Sequence, residues 1–461
     1  MKAKSIYFIG IGGCGMSGLA EIFHSHGYNV QGSDIKKTKI TERLESKGIC
    51  VKRGHSAENI DGVDYVVYSS CITKENIEMK EAKKRGIPIL RRIEALNMLV
   101  GDKDIVAVSG AHGKTTTTSL VSFLLIRAGL DPTVFIGADV DFLEGNSRYG
   151  RSDLVVTEAD ESDGSFLLLN PLYSVATNID KEHMDYYADM DEVMAAYNGF
   201  IENTKEGGAS FICSDDHNLR SIAKNSSKKI VTYGVSQGAD IRACNIEVMG
   251  LDGSRFDFVF KDNLLGRIHL SIRGMHNILN SLAAIGVTLN LGVDFSFIKK
   301  VIADFKGADR RFVVNRLDSD ILVIDDYAHH PTEIKATLKT LENSGRRIVV
   351  VFQPHRYSRT KYLKEEFSSS FALADYLVVT GIYAAHEKPI DGVSAEDICA
   401  GARKCGHRDA YFVPRNDIIK HLSQAVRPHD AVFILGAGDI GELYGEIVKT
   451  LKGIKKGDDK T

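Results

Sequence analysis

The sequence has no marked excess of either charge and no long apolar run. Its 461 residues include 58 lysines and arginines and 61 aspartates and glutamates, which gives a formal net charge of −3. Proteins that bind nucleic acid or an anionic membrane surface usually carry a clustered basic excess, so we expect neither partner. No apolar run approaches the roughly 20 residues that span a bilayer, and the first residues do not form a signal-peptide pattern. These features predict a cytoplasmic protein.

The cysteines exclude two further classes. There are seven, an odd number, and no two of them form a C-x-x-C pair. The pattern predicts neither a disulfide framework nor a thiolate zinc site, and it favours a reducing compartment. No feature indicates an obligate protein partner. With 43% hydrophobic and 26% charged residues, the composition is that of an ordinary globular protein.

Alternating strand and helix patterns predict three α/β domains, within the two to four that the chain length suggests. We place them at residues 1–102, 103–308 and 309–461, and each begins near a short apolar strand that ends in a polar or glycine-rich turn. The first and last are expected to be Rossmann-like, with parallel sheets. Residues 241–272 alternate polar and apolar side chains, which indicates antiparallel strands and hence a mixed sheet in the central domain.

A phosphate-binding loop is predicted at residues 109–117, Ser-Gly-Ala-His-Gly-Lys-Thr-Thr-Thr, between an apolar strand and a helix pattern. Glycines let backbone N–H groups point at phosphates, and the helix N-terminus adds positive potential. Lys114 would contact the outer phosphates and the Thr115 hydroxyl would reach a magnesium ion. Val108 stands where the full G-x-x-x-x-G-K-[ST] pattern has its first glycine, so the sequence meets only the shorter and weaker pattern G-x-x-G-K-T. The alternative is a helix-start turn with an incidental lysine.

Acidic residues follow the next predicted strand. Glu158 ends that strand, where a carboxylate can approach magnesium bound to phosphate. From residue chemistry alone, Asp160, Glu161 and Asp163 are expected to be solvated or to cap turns. His183, after the following strand, is also expected at the surface or in a cap, because magnesium prefers oxygen ligands.

A second glycine-rich turn lies at residues 10–15, Gly-Ile-Gly-Gly-Cys-Gly, with Asp34 at the distance of a ribose-binding acid. The G-x-G-x-x-G pattern favours an NAD-dependent oxidoreductase, but such a turn binds a diphosphate, which a UDP-sugar also carries. Two phosphate-binding turns in separate domains suggest two ligands, ATP and a nucleotide-activated substrate. A purely structural glycine turn is the remaining alternative.

Several motifs in a fixed order resemble the Mur ligase family over nearly the whole chain. They occupy residues 9–18, 110–117, 158–163, 177–185, 274–280, 325–333 and 352–360. The resemblance implies domains that bind UDP-N-acetylmuramate, ATP and an amino acid, in that order. It also implies ATP- and Mg²⁺-dependent ligation of L-alanine to the lactyl carboxylate of UDP-N-acetylmuramate through an acyl phosphate. Three alternatives stay open: a muropeptide ligase of cell-wall recycling, an NAD-dependent oxidoreductase with an accessory ATPase, and an ATP-gated sensor of UDP-sugars.

The resemblance also implies roles for individual residues. It places Thr115 and Glu158 on one magnesium ion and His183 on a second, which replaces the surface role expected for His183. The catalytic set is Lys114, Glu158, His183 and Arg311. The ATP set is Gly110, His112, Gly113, Lys114, Thr115, Thr116, Asn277, Asn280, Arg311 and Asp326. The set for the UDP substrate is Gly10, Gly12, Gly13, Gly15, Asp34, Ser69 and Ser70.

On the acceptor side, the resemblance implies Tyr327, His329, His330, His355, Arg356 and Arg359. We expect Arg356 and Arg359 to pair with carboxylate or phosphate groups when the third domain closes. The two adjacent histidines could instead cap the helix that begins near Pro331. Two positions depart from the family pattern, with Cys14 in place of alanine and His386 in place of glycine. A side chain at 386 could narrow the amino-acid side of the site, and a thiol at 14 could be sensitive to alkylation.

Overall fold

The computed structural model describes residues 4–69 and 71–454, which form three β-sheets with helices packed on them. Each sheet is built from one continuous stretch of chain, as predicted. All seven cysteines lie in the described part, and none of them is paired. None of the described helices is long and apolar enough to cross a membrane.

The first sheet is parallel, with strand order β3-β2-β1-β4-β5. Its strands are β1 (Ser5–Ile9), β2 (Asn29–Asp34), β3 (Cys50–Arg53), β4 (Tyr65–Tyr68) and β5 (Ile89–Arg91), and its helices are α1 (Cys14–Ser25), α2 (Lys39–Ser46), α3 (Ile77–Lys84) and α4 (Arg92–Val100). Helices on both faces bury every side chain of β1, which explains its unbroken apolar run. The strand order reverses between β1 and β4, so a ligand crevice is expected beyond their carboxyl ends.

The central sheet has ten described strands in the order β15-β14-β13-β12-β11-β10-β6-β9-β7-β8. They are β6 (Asp104–Ser109), β7 (Thr133–Val140), β8 (Gly145–Arg148), β9 (Leu154–Glu158), β10 (Tyr173–Ala176), β11 (Ala209–Cys213), β12 (Ile230–Gly234), β13 (Ile241–Val248), β14 (Ser254–Phe260) and β15 (Asn263–Leu270). Its helices are α5 (Lys114–Arg127), α6 (Met190–Glu202), α7 (His217–Asn225), α8 (Met275–Asn290) and α9 (Phe295–Val301). The β13–β15 end is antiparallel, as the alternation in that segment predicted.

The third sheet has the order β16-β17-β21-β18-β19-β20 and is parallel except for β16. Its strands are β16 (Val313–Arg316), β17 (Leu322–Asp326), β18 (Ile348–Phe352), β19 (Tyr376–Val379), β20 (Ala410–Phe412) and β21 (Ala431–Leu435). Its helices are α10 (Pro331–Lys339), α11 (Tyr357–Tyr362), α12 (Lys364–Ser368), α13 (Glu396–Lys404), α14 (Ile418–Ala425) and α15 (Tyr444–Leu451).

The contacts between domains differ in kind. One cluster of buried apolar side chains runs from the first sheet into the central one. Beside it, buried Glu21 on α1 accepts bonds from Arg43 and from Ser147 on β8. The third domain has apolar clusters of its own on the two faces of its sheet. It contacts the central domain near the predicted site through polar and charged side chains, among them the pairs Arg359–Glu182 and His112–Glu333.

Candidate active site

A cavity of about 630 Å³ lies where the carboxyl ends of β1 and β4 face the central domain. Of the residues predicted for the UDP substrate, Gly13, Gly15 and Ser69 line it. Ser70 lies outside the described residues. From the central domain, Glu158 lines the opposite wall, so the cavity reaches the predicted phosphate-transfer site.

The glycine-rich turn has the close packing that its pattern predicts. Gly10 has a φ of +77°, which favours glycine. A Cβ on Gly12 would lie 2.8 Å from Asp34 Oδ2, and the Gly12 N–H donates to that same oxygen at 2.9 Å. Asp34 therefore fastens the turn to the end of β2. The cavity wall includes Gly13 and Gly15. The turn behind it is shaped by Gly10, Gly12 and Asp34.

Cys14 is the first residue of α1 and also lines this cavity. Its thiol donates to the Gly137 carbonyl at 3.1 Å, and the Asn146 amide approaches its sulfur at 3.2 Å. Burial raises the pKa of the thiol to about 11, so little reactive thiolate is present at neutral pH. Cys14 thus fits the position and is not activated.

Arg91 and Arg92 are site residues that the sequence analysis missed. They lie at the end of β5 and the start of α4, and both line the cavity. A Cβ on Gly15 would come within 3.2 Å of the Arg92 side chain, which places this cation beside the glycine turn. Two adjacent arginines at a strand end, on the same sheet edge as the turn, were the available signal.

The phosphate loop has the predicted strand–turn–helix form. Gly110 has a φ of +144°, and a Cβ there would lie 1.8 Å from Thr177 Oγ1. Gly113, with a φ of +85°, precedes α5, and a Cβ on it would lie 2.5 Å from Asn280 Oδ1. Asn178 holds the loop from the side by accepting from the His112 N–H at 2.9 Å. Both glycines are therefore required by close approach and by their positive φ, as a phosphate loop of this form needs.

The expectation that Glu161 is solvated or caps a turn was wrong. Its side chain is buried, and its Oε1 lies 2.7 Å from Lys114 Nζ and 3.3 Å from His183 Nε2. Sequence spacing could not show this, because the three residues come from three different loops. Asp160 and Asp163 do accept from backbone N–H groups two residues onward, at 3.0 Å each. Burial would raise the pKa of Asp160, but the charges of Lys114, Arg92 and His183 lower it to about 2.

The residues predicted to hold magnesium fall into two neighbouring groups. Glu158 accepts from the Gly137 N–H at 2.6 Å, and a hydrogen bond from Thr115 lowers its pKa although burial raises it overall. His183, in a left-handed conformation with a φ of +57°, groups instead with Asp160 and Glu161 within 4.8 Å. Together the two groups offer one hydroxyl, three carboxylates and one imidazole, which is an oxygen-rich donor set. This set fits magnesium, with His183 as the one nitrogen donor.

A second cavity, of about 280 Å³, lies between the phosphate loop, α8 and the third domain. Of the predicted ATP residues it contains His112, Gly113, Thr116, Asn277, Asn280, Arg311 and Asp326. Burial raises the pKa of Asp326 to about 7, against the opposing effect of Arg311. His276 also lines this cavity and was missed, and burial lowers its pKa to about 4. The cavity is bounded by both domains, so a ligand in it would contact both.

His112 has a carboxylate at each ring nitrogen. Nε2 lies 2.9 Å from Asp180 Oδ2, and Nδ1 lies 3.3 Å from Glu333 Oε1 of the third domain. Burial would lower the pKa of His112, but hydrogen bonds to Asp180 and Glu333 raise it to about 9.

We therefore expect His112 to be an imidazolium at neutral pH. Because its pKa in the folded protein lies above the usual value of 6.5, its stabilising contribution is complete below about pH 6.5 and is lost as pH rises through about 9. Titration of histidine-labelled protein by NMR should show one ring with a midpoint near pH 9, absent from His112→Asn. A wild-type spectrum in which every ring titrates at or below the usual value would contradict this charge assignment.

The acceptor-side residues of the third domain meet the loop after β10. Arg359 contacts Glu182 at 2.9 Å, and Arg356 contacts Asp185 at 3.3 Å. Both arginines thus pair with carboxylates of the central domain, and their pairing with ligand groups on closure stays a prediction. The His355 ring stacks on the Tyr383 ring, with their centres 5.6 Å apart. Burial lowers the pKa of His355 to about 2.

The remaining predicted acceptor residues lie at the start of α10. His330 is the N-cap of that helix and accepts from the Thr332 N–H at 3.3 Å, so the capping alternative holds for it. The His329 ring contacts the Tyr327 carbonyl at 3.0 Å, and burial lowers its pKa to about 4. The Arg311 guanidinium lies over the Tyr327 ring, 4.9 Å from its centre. The imidazoles of His329 and His355 are thus uncharged at neutral pH.

Two loops that carry the acceptor residues meet in strained conformations. Arg356, Ala385 and His386 have φ values of +70°, +46° and +71°, in the left-handed region that favours glycine. Glu387 fastens these loops, because its two oxygens accept from Ser358 N at 2.9 Å and Ser358 Oγ at 2.6 Å. The positive φ at 386 explains why glycine is expected there, and the exposed histidine side chain retains that strain.

Replacing His386 with glycine should stabilise the third domain by about 0.5–1 kcal/mol. A left-handed conformation costs an L-residue about 1–2 kcal/mol, part of which the greater freedom of glycine in the unfolded chain offsets. Denaturant unfolding of wild type, His386→Gly and His386→Ala tests this. The alanine variant removes the imidazole but keeps the strain, so it should show no gain. Equal stabilisation by both variants would assign the effect to the side chain instead.

Comparisons with known proteins cover almost the whole chain. Residues 5–103 match the model of the Mur ligase family, catalytic domain, residues 108–288 match the Mur ligase middle domain, and residues 310–438 match the Mur ligase, glutamate ligase domain. A UDP-N-acetylmuramate–L-alanine ligase from Geotalea uraniireducens is 46% identical over 98% of this chain and 99% of its own length. The structure of UDP-N-acetylmuramate-alanine ligase MurC from Thermotoga maritima superposes with a TM-score of 0.83 at 30% identity, covering 96% of this chain and 98% of that one. A murein peptide ligase from Psychrobacter arcticus shares the fold, with a TM-score of 0.74 at 24% identity over 98% of this chain and 100% of that one.

Proposed function

This chain belongs to the Mur ligase family, and from that premise we propose that it joins L-alanine to the lactyl carboxylate of UDP-N-acetylmuramate, with cleavage of ATP to ADP and phosphate. The product is a precursor of peptidoglycan. The observation that carries the proposal is that two cavities lie beside the phosphate loop, the larger one through Glu158, which accepts a hydrogen bond from Thr115 at the N-terminus of α5. The larger cavity reaches Glu158, and the smaller one is lined by Gly113 and Thr116 of the phosphate loop.

The chemistry needs an activated carboxylate, because a carboxylate oxygen is a poor leaving group toward an amine. A lactyl carboxylate oxygen attacks the γ-phosphorus of ATP, the bond to the bridging oxygen breaks, and ADP leaves. The amine of L-alanine then attacks the carbonyl carbon of the acyl phosphate. The tetrahedral intermediate expels phosphate and leaves an amide, and the nitrogen loses its proton.

Lys114 supplies the fixed positive charge for the first step. Its ammonium lies at the N-terminus of α5, where the Glu161 carboxylate holds it at 2.7 Å. Negative charge accumulates on the phosphoryl oxygens during transfer, and a preorganised cation lowers the barrier without solvent reorganisation. The contacts Arg359–Glu182 and Arg356–Asp185 draw the third domain against this region, which excludes water from a hydrolysable intermediate.

Magnesium is the proposed cofactor. Thr115 and Glu158 would hold one ion, and His183, with Asp160 and Glu161 beside it, would hold a second. When bound, it neutralises repulsion between the carboxylate and the phosphates. ATP, UDP-N-acetylmuramate and L-alanine are the proposed small-molecule partners, and we place the reaction in the cytoplasm, where both nucleotides are made.

A murein peptide ligase of cell-wall recycling is the second candidate, because its fold is shared. Sequence identity favours alanine addition, since the alanine ligase relative is 46% identical and the peptide ligase structure 24% identical over comparable lengths.

Phosphate release with ATP, magnesium and UDP-N-acetylmuramate separates the candidates. L-Alanine, glycine, L-serine and the L-Ala-γ-D-Glu-diaminopimelate tripeptide are supplied in turn, and product masses are measured. Release that requires L-alanine, with a product heavier by one alanyl residue, is the expected result. Turnover with the tripeptide alone would assign the recycling reaction, and binding of both nucleotides without turnover would favour the sensor.

A further inference from the structure

Four polar side chains connect the phosphate loop to the third domain. We call His112, Asp180, Thr332 and Glu333 the His112 junction. His112 and Asp180 belong to the central domain, and Thr332 and Glu333 to the first turn of α10. Besides the two carboxylate contacts of the imidazole, Thr332 Oγ1 donates to Asp180 Oδ2 at 2.6 Å. The junction therefore spans the two domains through both of its carboxylates.

The junction is built around one charge. A neutral imidazole has a single N–H, so only the imidazolium can donate to Asp180 and Glu333 together. The charged or titratable groups that face it include Arg311, 3.9 Å from Glu333 Oε1, and the His329 ring, whose Nδ1 lies 3.3 Å from Glu333 Oε2. The His330 ring also faces it, with its centre 4.7 Å from that of His112, and His276 and Asp326 line the same cavity. The side chains of His112 and Glu333 are each 14% exposed, so loss of one charge leaves its partner poorly solvated.

Glu333 joins two parts of the proposed site. Its Oε2 accepts from the backbone N–H groups of His329 at 3.0 Å and His330 at 3.2 Å, which fixes the start of α10. Its Oε1 faces His112, two residues before Lys114 in the phosphate loop. One carboxylate therefore holds the acceptor-side histidines with one oxygen and the nucleotide loop with the other.

The junction also borders the 280 Å³ cavity, whose wall includes all four of its side chains. A ligand that contacts both domains in this cavity stabilises the junction, and by thermodynamic linkage the junction favours that ligand equally. The junction thus connects the nucleotide cavity to the relative placement of Lys114 and the acceptor residues.

We propose that Glu333 is a positioning residue, which through His112 sets the phosphate loop relative to the acceptor side of the third domain. The proposal rests on the proposed ligase function. It predicts that Glu333 affects kcat, the turnover rate of the enzyme with its substrates bound. A residue with a purely structural role would change the stability of the protein and leave that rate unchanged.

Glu333→Gln tests the proposal, because glutamine can still cap α10 while the charge facing His112 is lost. We expect kcat for ADP formation to fall roughly tenfold, within the range of typical coupling between sites, while KM for ATP changes far less. Glu366→Gln is the matched control. Glu366 pairs with Lys181 between the same two domains at 3.8 Å, but both side chains are 45% exposed, so its loss should leave kcat unchanged.

A double-mutant cycle with His112→Asn shows whether the two residues act as one unit. We expect His112→Asn to lower kcat about as much as Glu333→Gln, and the double variant to lose no more than the worse single variant. Independent, multiplying losses would overturn the proposal, as would a Glu333→Gln enzyme with wild-type kcat. His112→Asn also serves as the test if Glu333→Gln does not fold, which thermal unfolding will show.

The same assay distinguishes this proposal from the proposed function. A wild-type enzyme without L-alanine-dependent ADP formation would overturn the ligase function itself. A wild-type enzyme that is active, together with unaffected junction variants, would overturn only the positioning role.

Discussion

Replacing Lys114 with methionine should lower kcat roughly a hundred- to a thousandfold, the range found when one preorganised hydrogen-bond donor to a transition state is removed. Lys114 Nζ is held by the Gly110 carbonyl at 2.6 Å and Glu161 at 2.7 Å, so its charge is fixed before phosphoryl transfer begins. Methionine keeps much of the side-chain volume and removes only the ammonium. Initial-rate measurements of L-alanine-dependent ADP formation give the effect.

The control for this variant is Lys103→Met. Lys103 is a lysine of the same domain whose ammonium contacts the Ser152 carbonyl away from both cavities, so wild-type rates are expected. Because Lys114 also compensates buried carboxylates, thermal unfolding must show that the Lys114 variant is folded. Lys114→Arg keeps the positive charge but replaces the compact ammonium with a planar guanidinium, so it should recover only part of the rate. Near-normal turnover by folded Lys114→Met would contradict the assigned role.

Replacing Arg359 with alanine should give the second large loss. Arg359 contacts Glu182 across the two domains through Nε at 3.3 Å and Nη2 at 2.9 Å, and the side chains are 11% and 7% exposed. Removing one partner of a buried pair leaves the other unpaired, at a cost of about 3–5 kcal/mol. The pair joins the third domain to the central one, so this cost falls on the arrangement that brings the acceptor side to the phosphate loop. We therefore expect kcat/KM for L-alanine to fall by at least about a hundredfold, since 1.4 kcal/mol corresponds to a factor of ten.

The double variant Arg359→Ala/Glu182→Gln separates the two causes of this loss. If the unpaired Glu182 carboxylate accounts for the instability, the double variant should unfold at a higher temperature than Arg359→Ala. Its activity should stay low, because the guanidinium on the acceptor side is still absent. A double variant as active as wild type would show that Arg359 only neutralises Glu182.

Local patterns predicted those parts of the fold that depend on local sequence. The unbroken apolar run of β1 and the alternation along β14 each report how many faces of a strand are buried, and both were read correctly. The phosphate loop was also predictable, because Gly110, Gly113 and Lys114 act through the backbone of one strand–turn–helix unit.

The sequence did not predict contacts that join separate loops. Glu161 was expected to be solvated, yet Lys114 and His183 bury and pair it. Glu333 was noted only as the last residue of the motif at 325–333, and its contact with His112 exists because the third domain lies against the phosphate loop. Such pairs depend on how separate loops and domains are placed in three dimensions, about which the order of residues along a helix or strand carries no information.

The acyl-phosphate route is the central claim, and an isotope measurement tests it most directly. UDP-N-acetylmuramate labelled with ¹⁸O in both oxygens of the lactyl carboxylate is turned over with ATP and L-alanine, and the released phosphate is analysed by mass. The proposed sequence transfers one carboxylate oxygen to phosphorus, so each phosphate released should carry one ¹⁸O. Phosphate without label, released together with the alanyl product, would contradict activation of the carboxylate by phosphoryl transfer.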